Sequence, residues 1–283
     1  MSAAPELMTA TDAAPRAATA DVDLDAMAEG LLHTYHESSP CLGPSKINTY
    51  LSCPRKYEYQ YIEKVRRPRP PAATVGSVVH AVVEHSHRAH WSPANTEDAA
   101  DLLTTLWNAV KAETEDPHDL EADKAMRDAR DIWLPWYLIW CRGSLDIAVE
   151  ETWKLPVAGS DLVLQGTIDR IYLKNGLTVV SDIKTGKRIP SGLSLANDLQ
   201  LTLYSWAARQ MGLTEDTLEI VAMRSQGSVM TTRTDSYIAA VLEQTVLPVH
   251  EQIMAGRFAA NVSSQFGCSW CSYHTLCPVG KGS

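Results

Sequence analysis

A β-hairpin around Asn175-Gly176 constrains the fold of this chain more than any other feature of its sequence. The two residues separate two strand-like runs, LVLQGTIDRIYL and LTVVSDIK. Asn-Gly is the strongest short hairpin signal, because both central positions of a type I′ turn need positive φ angles. With a two-residue turn Lys174 pairs with Leu177, and counting back along both strands fixes the remaining pairs. The pairs predicted further along are Ile171 with Val180, Asp169 with Asp182, Ile168 with Ile183 and Thr167 with Lys184.

Two opposed aspartates in the middle of an apolar hairpin need a stabilising partner. Directly opposed residues have Cβ atoms about 4.5–5.5 Å apart, and like charges so placed destabilise a sheet. A divalent cation between Asp169 and Asp182 removes that repulsion. Lys184 lies two residues beyond Asp182 and therefore projects from the same face of the strand. The alternative is a surface hairpin with ordinary Asp and Lys side chains, which the apolar flanking residues disfavour.

These residue types suit the hydrolysis of phosphodiesters. Carboxylate oxygens suit Mg²⁺ and Mn²⁺, which bind through few protein carboxylates and keep water positions open. A bound divalent ion lowers the pKa of water and neutralises charge that builds on a phosphate. The ammonium of Lys184 suits an anionic transition state or the attacking water. The hairpin therefore predicts metal-dependent cleavage of a phosphodiester.

The stretch RKYEYQYIEKVRRPR, residues 55–69, combines clustered basic residues with interleaved tyrosines. The whole chain carries 25 Lys and Arg against 34 Asp and Glu, a net charge of −9, but net charge is a weak guide when basic residues cluster. Cations for a phosphate backbone and rings for stacked bases favour a DNA contact, although a solvated amphipathic helix is an equal alternative. The residues predicted to contact DNA are Arg55, Lys56, Tyr57, Lys64, Arg66 and Arg67.

The rest of the chain predicts one domain after an N-terminal tail. Residues 1–25 are rich in Ala, Thr and Asp without periodicity, which predicts disorder, and a single domain is predicted over 44–283. Helical periodicity over about 97–141 predicts a helical insertion, and β-like runs follow over about 148–184. Helices and strands then alternate. This order predicts an α/β fold, in which a central mixed sheet is flanked by helices.

The sequence also indicates a cellular compartment and the kind of partner protein. No run approaches the roughly 18 apolar residues that span a membrane, and the N-terminus lacks a signal-peptide pattern, so we expect a cytoplasmic protein. There, the six cysteines are expected to be thiols, metal ligands or redox groups rather than disulfides. The chain lacks a G-x-x-x-x-G-K-[ST] motif, so any unwinding of DNA is expected to come from a helicase or recombination partner.

Four short motifs occur in order: GSVVH, GTIDR, DIK and QLTLY. Together they resemble the PD-(D/E)XK nucleases, in the branch related to the RecB nuclease domain, which implies a restriction-endonuclease-like core. The resemblance implies that His80, Asp169, Asp182 and the Ile183 carbonyl are Mg²⁺ or Mn²⁺ ligands and that Lys184 is the catalytic lysine. It further implies that Gln200 and Tyr204, at i and i+4 on one helix, hold DNA or brace the site.

The stretch GCSWCSYHTLCP contains Cys268, Cys271 and Cys277, and a closed thiolate cage needs a fourth ligand. Some members of the same branch, among them CRISPR-associated exonucleases and AddB-type nuclease domains, carry an iron–sulfur cluster held by one cysteine before the nuclease motifs and three after them. The leader SKINTYLSCPRKYEYQYI resembles theirs, which implies Cys53 as the fourth ligand of a 4Fe-4S clasp that closes over residues 258–278. Zinc is the alternative occupant, although the uneven spacing fits an iron–sulfur cluster better. Cys41 and Cys141 fall outside this pattern and are expected to be buried or incidental thiols.

These features predict a Mg²⁺- or Mn²⁺-dependent deoxyribonuclease, expected to be an exonuclease, that acts in repair, recombination or CRISPR adaptation. Two other classes stay open. One is a non-catalytic iron–sulfur DNA-binding adaptor subunit of a recombination complex, which the intact His80, Asp169, Asp182 and Lys184 set disfavours. The other is a zinc-stabilised structural protein.

Overall fold

We describe the protein from a computed structural model, over residues 41–67, 70–89, 96–112, 120–261, 268 and 271–279. The predicted N-terminal tail, residues 1–25, lies outside the described residues. Of the helices in these ranges, none combines the length and the hydropathy that a bilayer-spanning segment requires.

A mixed sheet of five strands, counted over the described residues, forms the centre of the molecule in the order β1-β2-β3-β4-β5. Neighbouring strands are antiparallel except β3 and β4, which are parallel. This arrangement confirms a central mixed sheet flanked by helices. The strands are β1 Leu145–Pro156, β2 Val163–Lys174, β3 Leu177–Lys184, β4 Thr217–Ala222 and β5 Gly227–Thr231.

The predicted hairpin is confirmed at its turn and in its first pairs. Asn175 and Gly176 have φ angles of 54° and 79°, as a type I′ turn requires. The β2–β3 ladder runs from Lys174↔Leu177 to Arg170↔Ser181 in the predicted register. It ends there, so the expected pairs of Asp169 with Asp182, Ile168 with Ile183 and Thr167 with Lys184 are not ladder pairs. β3 continues instead beside β4, to Lys184↔Ala222.

Helices cover both faces of the sheet and form two apolar cores. One core joins helices within residues 71–140 to the sheet through Ile183, Val221 and Met223. The other core surrounds Ile171, Val180 and Ile220 and includes the remaining helices. The α-helices are α1 Pro44–Ser52, α2 Pro54–Tyr57, α3 Pro71–Arg88, α4 Thr96–Ala112, α5 Leu120–Asp128, α6 Leu134–Trp140, α7 Leu193–Ala196, α8 Leu199–Gln210, α9 Asp235–Val241 and α10 Leu247–Met254. π-helical turns lie at Glu58–Ile62, Ala129–Trp133 and Leu242–Val246, and a 3₁₀ turn lies at Met223–Ser225.

The helices α4, α5 and α6 lie where the sequence predicts a helical segment. Their buried faces carry Leu102, Leu106, Met126 and Trp133, which pack against Val79 and Val82 of α3. The described residues thus support helices over this range, and the status of the segment as an insertion stays a prediction.

Candidate active site

An open cleft of about 830 Å³ lies where β2 and β3 separate. Helix α3, strands β1 to β3, the residues after β3 and the start of α8 contribute to its wall. The predicted site residues that line it are His80, Asp169, Asp182, Ile183, Lys184 and Gln200. The structure therefore brings together residues that are distant in the sequence, from helices on both faces of the sheet.

Gly76, the glycine of GSVVH, allows α3 to approach the end of β3. A Cβ atom at Gly76 would lie 3.0 Å from Oγ1 of Thr185, closer than ordinary van der Waals contact. Thr185 directly follows Lys184 in the sequence. A side chain at the first position of this motif would therefore require the Thr185 side chain or α3 to shift.

His80 sits between the Ile183 carbonyl and two carboxylates. Its Nε2 lies 2.8 Å from the Ile183 carbonyl oxygen, and its Nδ1 lies 3.8 Å from Oε1 of Glu150 and 3.9 Å from Oδ2 of Asp169. Burial lowers the pKa of His80, but the bond with Glu150 and the charges of Asp169, Glu150 and Asp182 outweigh burial and raise the pKa to about 9. Without a metal, the imidazole therefore carries a positive charge that balances part of the carboxylate charge.

Asp169 is fixed by the backbone of the neighbouring strand. Its Oδ2 accepts a hydrogen bond of 2.6 Å from the Ile183 amide. Burial raises the pKa of Asp169, against the opposing effects of His80 and of this hydrogen bond. The side-chain bond takes the place of a ladder pair at this point, so it connects the strands where they part.

Asp182 and Lys184 form an ion pair that continues into α8. The Lys184 Nζ lies 2.7 Å from Oδ2 of Asp182 and donates a 3.0 Å hydrogen bond to Oε1 of Gln200. The Gln200 amide donates in turn to the Tyr204 hydroxyl at 2.7 Å. Burial raises the pKa of Asp182 to about 7, although Lys184 lowers it. The predicted pairing of Gln200 with Tyr204 thus places both residues behind the lysine.

Glu150 is a site residue that the sequence analysis missed. Ligand atoms of His80, Glu150 and Asp169 all lie within 4.8 Å of one another, and among the described residues they are the group with such metal-ligand spacing. Asp182 is outside that group, and its role as a ligand beside His80, Asp169 and the Ile183 carbonyl stays a prediction. The signal for Glu150 was its place on the strand-like run VEETWKLPV, but nothing in the sequence fixes the register of β1 against β2.

Arg170, the arginine of GTIDR, is a buried structural residue. Its guanidinium donates to Oδ1 of Asp146 at 2.7 Å, to the Ser144 hydroxyl at 2.6 Å and to the Cys141 sulfur at 3.4 Å. Oδ2 of Asp146 bonds Nδ1 of His87 at 2.8 Å. Burial raises the pKa of Cys141 to about 11. This network connects α3 and the end of α6 to β1 and β2, and it accounts for Cys141 as a packing thiol.

Described residues that follow α10 contact α1 and the residues directly after α1. The Tyr50 hydroxyl donates to the Arg257 carbonyl at 2.6 Å, and the Asn261 amide lies 3.4 Å from the Cys53 sulfur. The rings of Tyr59 and Tyr273 stack at 5.5 Å. Asn261 therefore lies beside Cys53, and Tyr273, which lies between Cys271 and Cys277 in the sequence, packs on Tyr59. Cys41 is separately buried.

The predicted DNA-contact residues divide into buried and exposed ones. Tyr57 is 4% exposed and packs on Tyr61 and Phe258, so its ring belongs to the core and has no free face for a base. Arg55 pairs with Glu58 and lies over the Tyr59 ring at 4.5 Å. The remaining predicted contacts are Lys64 and Arg66, which are exposed, and Lys56 and Arg67, which are half-buried.

A mixed sheet that ends in an open cleft with carboxylates, a histidine and a paired lysine defines a class, the hydrolases that cleave phosphodiesters with a divalent metal. The comparison with family models is specific. The model of the PD-(D/E)XK nuclease superfamily matches residues 42–278, and the chain belongs to this family.

The chain was also compared with curated proteins and with solved structures. No curated protein matches the sequence. A solved structure described as "Crystal structure of SSO0001" is similar with 17% identity and a TM-score of 0.44, over 91% of this chain and 95% of that one. A likeness of that size carries no argument about function.

Proposed function

We propose that this protein is a Mg²⁺- or Mn²⁺-dependent deoxyribonuclease that acts as an exonuclease. The observation that carries the proposal is the convergence of His80, Asp169, Asp182 and Lys184 on one open cleft, in a chain of a nuclease family. Repair, recombination and CRISPR adaptation are the settings in which such an activity would serve, in the cytoplasm and beside a helicase or recombination partner.

The donor set fits a divalent cation. His80 and Asp169 offer ligand atoms within 4.8 Å of those of a further carboxylate, and the Ile183 carbonyl lies 2.8 Å from the imidazole. We expect His80, Asp169, Asp182 and the Ile183 carbonyl to hold the ion. When bound, a divalent cation supplies Lewis-acid stabilisation of phosphate charge and lowers the pKa of water.

Lys184 is positioned to act on the anionic substrate. Its ammonium is held by Asp182 and Gln200, while 40% of its side chain stays exposed to the cleft. A fixed ammonium in a partly buried site stabilises charge that develops on a phosphate and orients an attacking water. Gln200 and Tyr204 act as positioning residues, because their hydrogen bonds reach the reaction only through Lys184.

We assign the exposed cations of the 55–67 region to the DNA backbone. Lys64 and Arg66 are exposed and suit phosphate contacts without base specificity, and Arg55, Lys56 and Arg67 extend this basic surface. Tyr57 is left out because its ring is buried.

We propose further that Cys53, Cys268, Cys271 and Cys277 hold a 4Fe-4S cluster. The contacts of Asn261 with Cys53 and of Tyr273 with Tyr59 support one shared site for the four thiolates. Zinc is the alternative occupant of a site with four thiolates.

Digestion of end-labelled single- and double-stranded DNA with Mg²⁺, Mn²⁺ or EDTA tests the activity. We expect metal-dependent release of mononucleotides or short oligonucleotides from one end. Products cut at internal positions would instead show an endonuclease. DNA binding without cleavage under every metal condition would favour the adaptor over the enzyme.

A further inference from the structure

We propose that Glu150 is a further side-chain ligand of the divalent cation in this cleft, at a position that none of the sequence motifs marks. The inference rests on the proposed metal-dependent function. It adds a carboxylate from β1 to a site that the motifs build from α3, β2 and β3.

The position of the Glu150 side chain supports its role as a ligand. Oε1 of Glu150 lies 3.8 Å from Nδ1 of His80, and ligand atoms of Glu150, His80 and Asp169 lie within 4.8 Å of one another. The Glu150 side chain is 25% exposed and lines the cleft. Two carboxylates and one imidazole at this spacing are a donor set for Mg²⁺ or Mn²⁺.

The register of β1 against β2 brings Glu150 opposite Asp169. Val149 pairs with Arg170 and Glu151 pairs with Ile168, so Glu150 lies opposite Asp169 between these two pairs. Like charges opposed across a sheet are destabilising. One cation shared by both carboxylates removes this repulsion, which the sequence analysis had assigned to Asp169 and Asp182.

The backbone at Glu150 has an unusual conformation for a residue within a strand. Its φ angle is 48°, in the left-handed region, although it lies inside the strand Leu145–Pro156. Glycine and asparagine adopt this conformation more easily than glutamate. Strained residues of this kind persist where the surrounding structure and the function of a site require them, and here the side chain of the strained residue faces the cleft.

A competing role for Glu150 is purely structural, as a partner that orients His80. Glu84 provides a matched control, because it is a second glutamate on the cleft wall. Its Oε1 is instead 2.8 Å from Nε of Arg88, and it is not part of the metal-spaced group. Glu84→Gln therefore removes a cleft carboxylate without touching the proposed ligand set.

Titration of the full-length protein with Mn²⁺, without DNA, tests the inference by following free Mn²⁺ with electron paramagnetic resonance. We expect Glu150→Gln to weaken Mn²⁺ binding about tenfold or more, Asp169→Asn to weaken it likewise, and Glu84→Gln to change it less than about twofold. Unchanged Mn²⁺ affinity in Glu150→Gln would overturn the inference.

Glu150→Gly separates a ligand from a structural partner. Glycine accepts the positive φ angle of this position, so the variant removes the carboxylate without adding backbone strain. For a ligand we expect a smaller increase of the melting temperature on adding Mn²⁺ than in the wild type, whereas a structural partner would leave that increase unchanged. If Glu150→Gln binds Mn²⁺ normally while Asp182→Ala stops DNA cleavage, only this inference fails. If the wild-type protein neither binds Mn²⁺ nor cleaves DNA, the proposed function fails as well.

Discussion

The ammonium of Lys184 is held by two partners and still faces the open cleft. Its Nζ lies 2.7 Å from Oδ2 of Asp182 and 3.0 Å from Oε1 of Gln200. A large part of the side chain is nevertheless exposed to the cleft. This combination of a fixed ammonium and an open cleft is what the proposed contact with an anionic substrate requires.

Replacing Lys184 by alanine should therefore stop cleavage and spare the fold. We expect single-turnover cleavage of DNA to fall by about 10²–10³-fold, the loss typical of a preorganised charge-stabilising group. Lys187→Ala is the matched control, because Lys187 is three residues away and its side chain is 68% exposed. Equal losses in the two variants would show that the lysine contributes only general positive charge.

The metal-free site should also make stability depend on pH. The folded-state pKa of Asp182 is raised to about 7 and that of His80 to about 9, so the folded protein binds more protons than the unfolded chain. Stability should then fall as pH rises, through Asp182 from about pH 4 to 7 and through His80 from about pH 6.5 to 9. Melting temperatures from pH 5 to 9 in EDTA measure this slope.

A bound cation should reverse the dependence, because it replaces the protons. We expect Mg²⁺ to raise the melting temperature more at pH 8.5 than at pH 6. Asp182→Asn should flatten the decline below pH 7 in the metal-free protein. A metal-free stability that rises over this range would contradict the charge balance described for the cleft.

Among the elements, β2 carries two kinds of residue at neighbouring positions. Asp169 faces the cleft, whereas the guanidinium of Arg170 is buried with Asp146, Ser144 and Cys141 on the side of α6. The motif GTIDR thus combines a site residue with an anchor for the strand. Breaking the anchor should affect stability first and catalysis only as a consequence.

Arg170→Ala should lower the free energy of unfolding by about 3–5 kcal/mol, the cost of leaving one partner of a buried ion pair uncompensated. Urea titration monitored by circular dichroism measures this change. Arg130→Ala is the control, since Arg130 forms an exposed pair with Asp131 and its removal should change stability little. Comparable losses in the two variants would show that the buried network contributes nothing beyond a surface pair.

The elements also show how far sequence reasoning reaches. The hairpin register could be predicted because Asn175-Gly176 fixes both the turn and the pairing, up to Arg170↔Ser181. Glu150 could not, because the residues between β1 and β2 form no two-residue turn and the β1 register shifts between Asp146 and Ala148. Tyr57 was predicted to contact DNA, but its ring is buried against Phe258. Local composition alone does not distinguish a tyrosine that packs in the core from one that is free to stack on a base.

At the scale of the whole molecule, described residues that follow α10 contact residues 50–65, which are distant in the sequence. Tyr50 binds the Arg257 carbonyl, Tyr59 stacks on Tyr273, and the Tyr273 hydroxyl donates to the Val65 carbonyl at 3.2 Å. A cluster held by Cys53 and the three C-terminal cysteines would join these two segments covalently. In the function proposed above, the cysteine site is structural and cleavage takes place in the cleft on the sheet.

Anaerobic purification tests this assignment. We expect a brown protein that absorbs near 400 nm and contains about four iron atoms per chain. Cys53→Ser should lose the iron and lower the melting temperature, whereas Cys41→Ala should keep the iron even if packing suffers. Stoichiometric zinc in place of iron, or full iron in Cys53→Ser, would contradict the cluster.

The central claim is that one metal-dependent cleft cuts DNA. The most direct measurement compares wild-type protein with Asp182→Asn on the same end-labelled DNA in Mn²⁺, alongside a binding measurement in Ca²⁺. We expect rapid cleavage by the wild type, no detectable cleavage by Asp182→Asn, and equal DNA affinity for both. Cleavage by Asp182→Asn at the wild-type rate would contradict the central claim.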